Sequence, residues 1–225
     1  MDIGNAVAAI GALGTASFAL VDGTKLLRDG GISNSGFIHI ESAVRKFFPN
    51  ASRKLKGGRQ KSERELLDIL HGNWINGTAL ADQKAIAKSL IKLRLNDGTA
   101  AAFADATDVD AAVMKSVAQK MTNGQSLEAN ETNVLGRFDL ALTAMLDEGY
   151  NRADQKYRNR ARGLASLVAV VLAVLGGWSL GYGFWTPDMA KTALCGVLAT
   201  PLAPISKDLT TALAAAVKVA QTVRK

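Results

Sequence analysis

His39, His71 and Cys195 are the side chains best suited to hold a metal or to attack a substrate. Zinc asks for three or four His, Cys or carboxylate ligands at short spacing. The two histidines stand on separate segments, with no carboxylate at ligand spacing. A metal centre is therefore not expected. Cys195 sits in an apolar run, surroundings that disfavour the reactive thiolate, and a lone cysteine forms no internal disulfide. Gly57-Gly58 has lysines nearby but lacks the Gly-Lys-Ser/Thr ending of a phosphate loop. Gly181-Tyr182-Gly183 lies inside an apolar stretch and is no dinucleotide fingerprint. Asn76-Gly77-Thr78 and Asn130-Glu131-Thr132 match the glycosylation tripeptide, which is frequent by chance. No nucleophile and base share a recognisable context. The reading is a non-enzymatic protein with no cofactor, no metal and no catalytic residues.

What the sequence does carry is segregation of charge. Its 225 residues have a net charge of +7, yet residues 3–21 and 164–185 contain no Asp, Glu, Lys or Arg. As a helix, residues 3–21 rise roughly 28 Å, close to the hydrocarbon thickness of a bilayer. A cleaved signal peptide needs a basic start; this one has Asp2 and neither Lys nor Arg. Small residues recur on this segment at helical spacing, Gly11 and Thr15 among them, and small faces let helices approach closely in lipid. Residues 164–185 read LASLVAVVLAVLGGWSLGYGFW, with Trp178, Tyr182 and Trp185 where an aromatic belt meets headgroups. Gly177 and Gly181 form a second small-residue pair. A third apolar run, near 189–205, carries Pro201 and Pro204. It is expected to cross, the alternative being a re-entrant dip.

Basic residues flank these runs unevenly. Arg152, Lys156, Arg158, Arg160 and Arg162 precede the second; Lys25 and Arg28 follow the first; Lys207, Lys218, Arg224 and Lys225 follow the third. The positive-inside rule then places the N-terminus outside and the bulk of the chain in the cytoplasm.

The chain thus reads as all-α, an integral membrane protein with three transmembrane helices and a helical cytoplasmic domain. The expected divisions are 1–22, first transmembrane helix; 23–137, helical cytoplasmic domain; 138–163, basic juxtamembrane helix; 164–185, second transmembrane helix; 186–206, tight turn and short third transmembrane helix; 207–225, amphipathic basic tail. Within the cytoplasmic part, periodicity predicts helices over 37–48, from a Ser62 cap onward, over 80–95 with Lys84 and Lys88 facing out, and over 109–121 with Asp108 as cap. Asn123-Gly124 marks the end of the last of these. From Glu131 one long helix should run into the membrane, its apolar stripe Phe138, Leu142, Met145 and Leu146, with Gly149 as the place for a kink.

Arg53, Lys54, Lys56, Arg59 and Lys61, with Arg158, Arg160 and Arg162, are candidate contacts for anionic lipid headgroups. Nucleic acid is a poorer fit, because aromatic residues are not interleaved with these cations.

Phe138–Arg162, FDLALTAMLDEGYNRADQKYRNRAR, stands directly before an apolar run, and PLAPISKDLTTALAAAVK follows the last one. In this stretch the chain resembles a group of uncharacterised bacterial three-span membrane proteins. They have one N-terminal span, a helical cytoplasmic domain, a basic aromatic junction and two C-terminal spans. Lys156-Tyr157-Arg158 stands where that group carries a Trp-Tyr-Lys-Arg-Arg junction. The resemblance covers residues 138–225 and implies a topology in the bacterial inner membrane, with no activity. The expected role is a homo- or hetero-oligomeric membrane assembly, with the lipid bilayer and a protein on the cytoplasmic domain as partners. The alternatives are an oligomeric channel or pore and a membrane-tethered nucleic-acid binder.

Overall fold

The computed structural model describes residues 3–24, 30–48 and 58–201, with the backbone alone for 3–6 and 58–63. All regular structure among them is helical: α1 (Ile3–Gly23), a 3-10 turn (Gly31–Ser33), α2 (Asn34–Arg45), α3 (Gly58–Ile75), α4 (Leu80–Lys92), α5 (Ala100–Thr107), α6 (Ala111–Thr122) and α7 (Ala129–Ser179), then α8 over 187–201. Two compact units result. One is Ser33–Tyr157; the other combines the chain up to Ile32 with the chain from Arg158 onward.

The Ser33–Tyr157 unit has its own apolar core. On α7 the residues Val134, Phe138, Leu142, Leu146, Tyr150 and Ala153 recur every three to four positions, and all are buried. That spacing keeps them on one helix face. Phe138 stacks on Phe103 of α5, with centroids 5.7 Å apart, and Phe47 at the end of α2 meets both rings edge-on. Such aromatic pairs add to the roughly 1.5–3 kcal/mol that each buried large side chain supplies. Trp74 of α3 donates its Nε1–H to the Ser33 carbonyl at 2.9 Å and fixes the entry to α2.

Several boundaries differ from expectation for physical reasons. Ser62 lies inside α3, which begins at Gly58. Asp108 adopts a left-handed conformation (φ 52) that ends α5, and Asp110 caps α6 by accepting from Val113 N–H at 2.9 Å. Lys84 and Lys88 do not face open solvent: Lys84 pairs with Asp147 at 2.8 Å, and Lys88 and Lys92 grip Asp139 at 2.7 and 2.8 Å. This seam runs α4 antiparallel to α7. Lys88 first, then Lys92, hold the Asp139 carboxyl below its ordinary range. The end of α6 falls where Asn123-Gly124 predicts. Gly124 takes φ +65, and Gln125 N–H returns to the Lys120 carbonyl at 2.9 Å.

The start of α7 is closed by a buried carboxylate. Glu131 accepts from Lys120 at 2.8 Å, from the Glu128 backbone N–H at 2.8 Å and from the Ser116 hydroxyl at 2.7 Å. The Glu128 bond is the backward half of a capping box. Lys120 foremost, then the backbone donor, lower Glu131 to about 2. A depressed carboxylate stabilises the fold above its unfolded value and loses that contribution as pH falls toward its folded value. The unit should therefore lose stability between about pH 4.5 and 2. Glu131→Gln is expected to lower stability at pH 7 and to flatten this acid limb in urea titrations; an unchanged limb would count against the arrangement.

Candidate membrane interface

From Arg158 to Ser179, α7 belongs to the second unit, and there it reverses the usual distribution of side-chain size. Ala161, Ala165, Ala169, Ala173 and Gly177, four residues apart, all face inward and are buried. Leu167, Val171, Leu175 and Trp178 point outward, with 61%, 48%, 52% and 66% of their surface exposed. A helix in a water-soluble core does the opposite, because burying large apolar side chains drives folding. In lipid that drive is absent between helices, and small residues at the contact permit close backbone approach.

From Ala169 to Gly177 the inward row meets α8. A Cβ on Gly196 would lie 2.8 Å from Val170 Cα, 2.9 Å from the Ala169 carbonyl oxygen and 2.9 Å from Ala173 Cβ. A Cβ on Gly177 would lie 3.2 Å from Met189 Sδ and 3.3 Å from Thr192 Cγ2. The outer face of α8 repeats the pattern, with Leu194 and Val197 more than half exposed.

α7 is the one described helix with an 18-residue window long and apolar enough to cross a membrane, at mean hydropathy 1.8. Only 22% of that window is buried, unlike the core helix of a soluble fold. Val7–Gly23 of α1 is a shorter apolar helix. Arg162 and Trp178 bracket a stretch of α7 that rises roughly 24 Å.

The apolar run does not stay helical to Trp185. It ends at Ser179, where Gly181 takes φ +82 and Tyr182 N–H returns to the Gly177 carbonyl at 3.1 Å. Gly181 therefore lies in the turn, with nothing within 4 Å of where its Cβ would be. Residues 180–186 form the connection, and Pro187 opens α8 at a position suited to its fixed φ. Trp185 on this connection is 99% exposed, while Tyr182 is 36% exposed.

Arg158, Arg160 and Arg162 are exposed on α7. Arg59 and Lys61 lie in the first turns of α3, where the backbone alone is described. Arg53, Lys54 and Lys56 fall outside the described residues, as do 202–206 of the third apolar run and the basic tail, 207–225. On α1, Thr15 is exposed and Gly11 half-buried, while Gly14, Ser17 and Val21 make the inward face. The Thr15 hydroxyl donates to the Gly11 carbonyl at 2.9 Å, and Ser17 to Leu13 at 2.5 Å. Gly177 is brought into a helix contact; the alanine row and Gly196, which complete that contact, were not singled out in the sequence. Their signal was the four-residue spacing from Ala161 to Gly177.

No family model, curated protein or solved structure matches the chain.

Among the described residues, no three His, Cys, Asp or Glu gather as metal ligands. His71 is buried, with Nε2 2.7 Å from Asn34 Oδ1 and its ring edge-on to Phe37. His39 lines a small polar hollow with Lys46, Glu148 and Arg152.

Proposed function

We propose that the chain is a non-enzymatic integral membrane protein that builds or scaffolds an oligomeric membrane assembly. α1, the distal part of α7 and α8 serve as three spans, and the Ser33–Tyr157 unit is a cytoplasmic platform for a partner or further copies. The observation that carries this reading is the outward face of α7, where Leu167, Val171, Leu175 and Trp178 are exposed while alanines are buried. The row Ala8, Ala12, Thr15, Ala16 and Ala19 on α1 is exposed and small, a face suited to a neighbouring span. The pore alternative has less to draw on, since Ser17 is buried and the Thr15 and Ser17 hydroxyl protons are donated to carbonyls of their own helix, leaving only acceptor capacity.

Val171→Arg with Leu175→Arg separates the membrane reading from a soluble one. Two arginines at the centre of a span oppose insertion by roughly 5–7 kcal/mol on insertion scales. The unaltered protein should stay in the membrane pellet after an alkaline carbonate wash, and the double variant should leave it or fail to accumulate. Leu140→Arg, on the exposed surface of the other unit, should not alter partition. Unaltered protein in the supernatant would end the membrane reading. If it pellets but extracts in detergent as a lone monomer, the assembly role fails while the anchor stands.

A further inference from the structure

Between α1 and α8 lies a cavity of about 330 Å³. Ala9 and Leu13 of α1, Leu180 and Tyr182 of the connection, and Thr192 and Cys195 of α8 wall it. Its volume equals roughly eleven water-sized groups, at the lower end of small-molecule sites, which are mostly apolar with a few placed polar groups. Two opposite charges, Asp188 and Lys191, complete the lining. Lys191 Nζ lies 2.9 Å from Asp188 Oδ1, and both side chains are more than half exposed. An ammonium has three donors and a carboxylate about four acceptor positions, so one mutual bond leaves both with capacity for a ligand.

That combination is selective. A purely anionic head would be drawn to Lys191 and repelled by Asp188; a purely cationic head meets the reverse. A head that bears both signs pairs with each side chain, and its chain fills the apolar part. We propose that this cavity takes one acyl chain of a zwitterionic amphiphile of the phosphoethanolamine type, its phosphate at Lys191 and its ammonium at Asp188. The inference rests on the membrane reading above, which supplies such amphiphiles at the rim.

Cys195 is the single cysteine of the chain, so alkylation by N-ethylmaleimide reports on this wall without any substitution. The full-length protein in a non-ionic detergent would be titrated with lysophosphatidylethanolamine, lysophosphatidylglycerol and an alkyltrimethylammonium of equal chain length. The zwitterion should slow alkylation saturably, by about fivefold or more, and the other two, at the same concentration, by less than about twofold. Lys191→Met should remove the zwitterion's protection. Asp188→Asn should raise the anionic amphiphile to the zwitterion's level. Equal slowing by all three, or none by the zwitterion, overturns the proposal. Should either variant melt differently from the parent, the comparison of the three amphiphiles on the unaltered protein decides alone. A protein that survives the carbonate wash yet shows no saturable protection keeps its membrane anchor and loses this site.

Discussion

Replacing Gly36 by leucine is expected to abolish the cooperative unfolding transition of the Ser33–Tyr157 unit. Gly36→Ala alone should lower stability by about 1–3 kcal/mol, the usual range for overfilling a packed contact. A Cβ at Gly36 would lie 2.5 Å from the Ala153 carbonyl oxygen of α7 and 2.7 Å from Trp74 Cζ2. Neither neighbour yields easily. The first is helix backbone, and the indole is tied to Ser33 at 2.9 Å through its N–H. The contact is reciprocal, since a Cβ at Gly149 of α7 would lie 2.9 Å from Ala43 Cβ of α2. Gly136 is the control. It lies on the same helix with nothing within 4 Å of its absent Cβ. Gly136→Ala should therefore stabilise the unit by about 0.5–1 kcal/mol through helix propensity alone. Urea titrations of the three variants would reject this packing if Gly36→Ala proved as harmless as Gly136→Ala.

The second large effect is expected at Gly196. Leucine there must force α8 away from α7, because the atoms it meets include the backbone of Val170 and Ala169. In a bilayer no water drives the two helices back together, so a lost close approach has little to replace it. The thermal transition in detergent should fall by several degrees for each kcal/mol lost. Cys195, one residue away, should alkylate about tenfold faster as the hairpin opens. Leu194→Ala, at an outward position more than half exposed, should change neither. A Gly196→Leu protein with parental melting and parental thiol reactivity would refute the α7–α8 contact.

The sequence carried some of this plainly and hid the rest for reasons of distance and size. The stripe Phe138, Leu142, Leu146 is large, regular and long, and periodicity alone marks it. α5 is eight residues, five of them alanine, and Phe103 is its single large side chain, so no period stands out. Asp108 and Asp110 are two residues apart, and either can cap a helix; only the backbone tells which one has turned left-handed. Lys84 and Lys88 look like a solvated face because their carboxylates, Asp147 and Asp139, lie more than fifty residues away in the chain. Gly149 reads in the sequence as a place for a kink; what the fold shows there is that α7 continues past it and that the missing side chain makes room for Ala43. Composition exposed the apolar run before Trp185. It did not tell which face turns outward, nor that Gly181 would stop the helix short.

The alanine row of α7 has a consequence for how tolerance to mutation should be distributed. Hydropathy would score Ala173→Leu as a gain for a spanning helix, yet Ala173 Cβ already lies 2.9 Å from where a Cβ on Gly196 would stand, so a longer side chain there acts as a wedge. Leu167 and Leu175 face outward, and under the proposed membrane reading their neighbour is fluid hydrocarbon, which accepts isoleucine, phenylalanine or methionine with little distinction. Volume constrains the inner face and polarity the outer one.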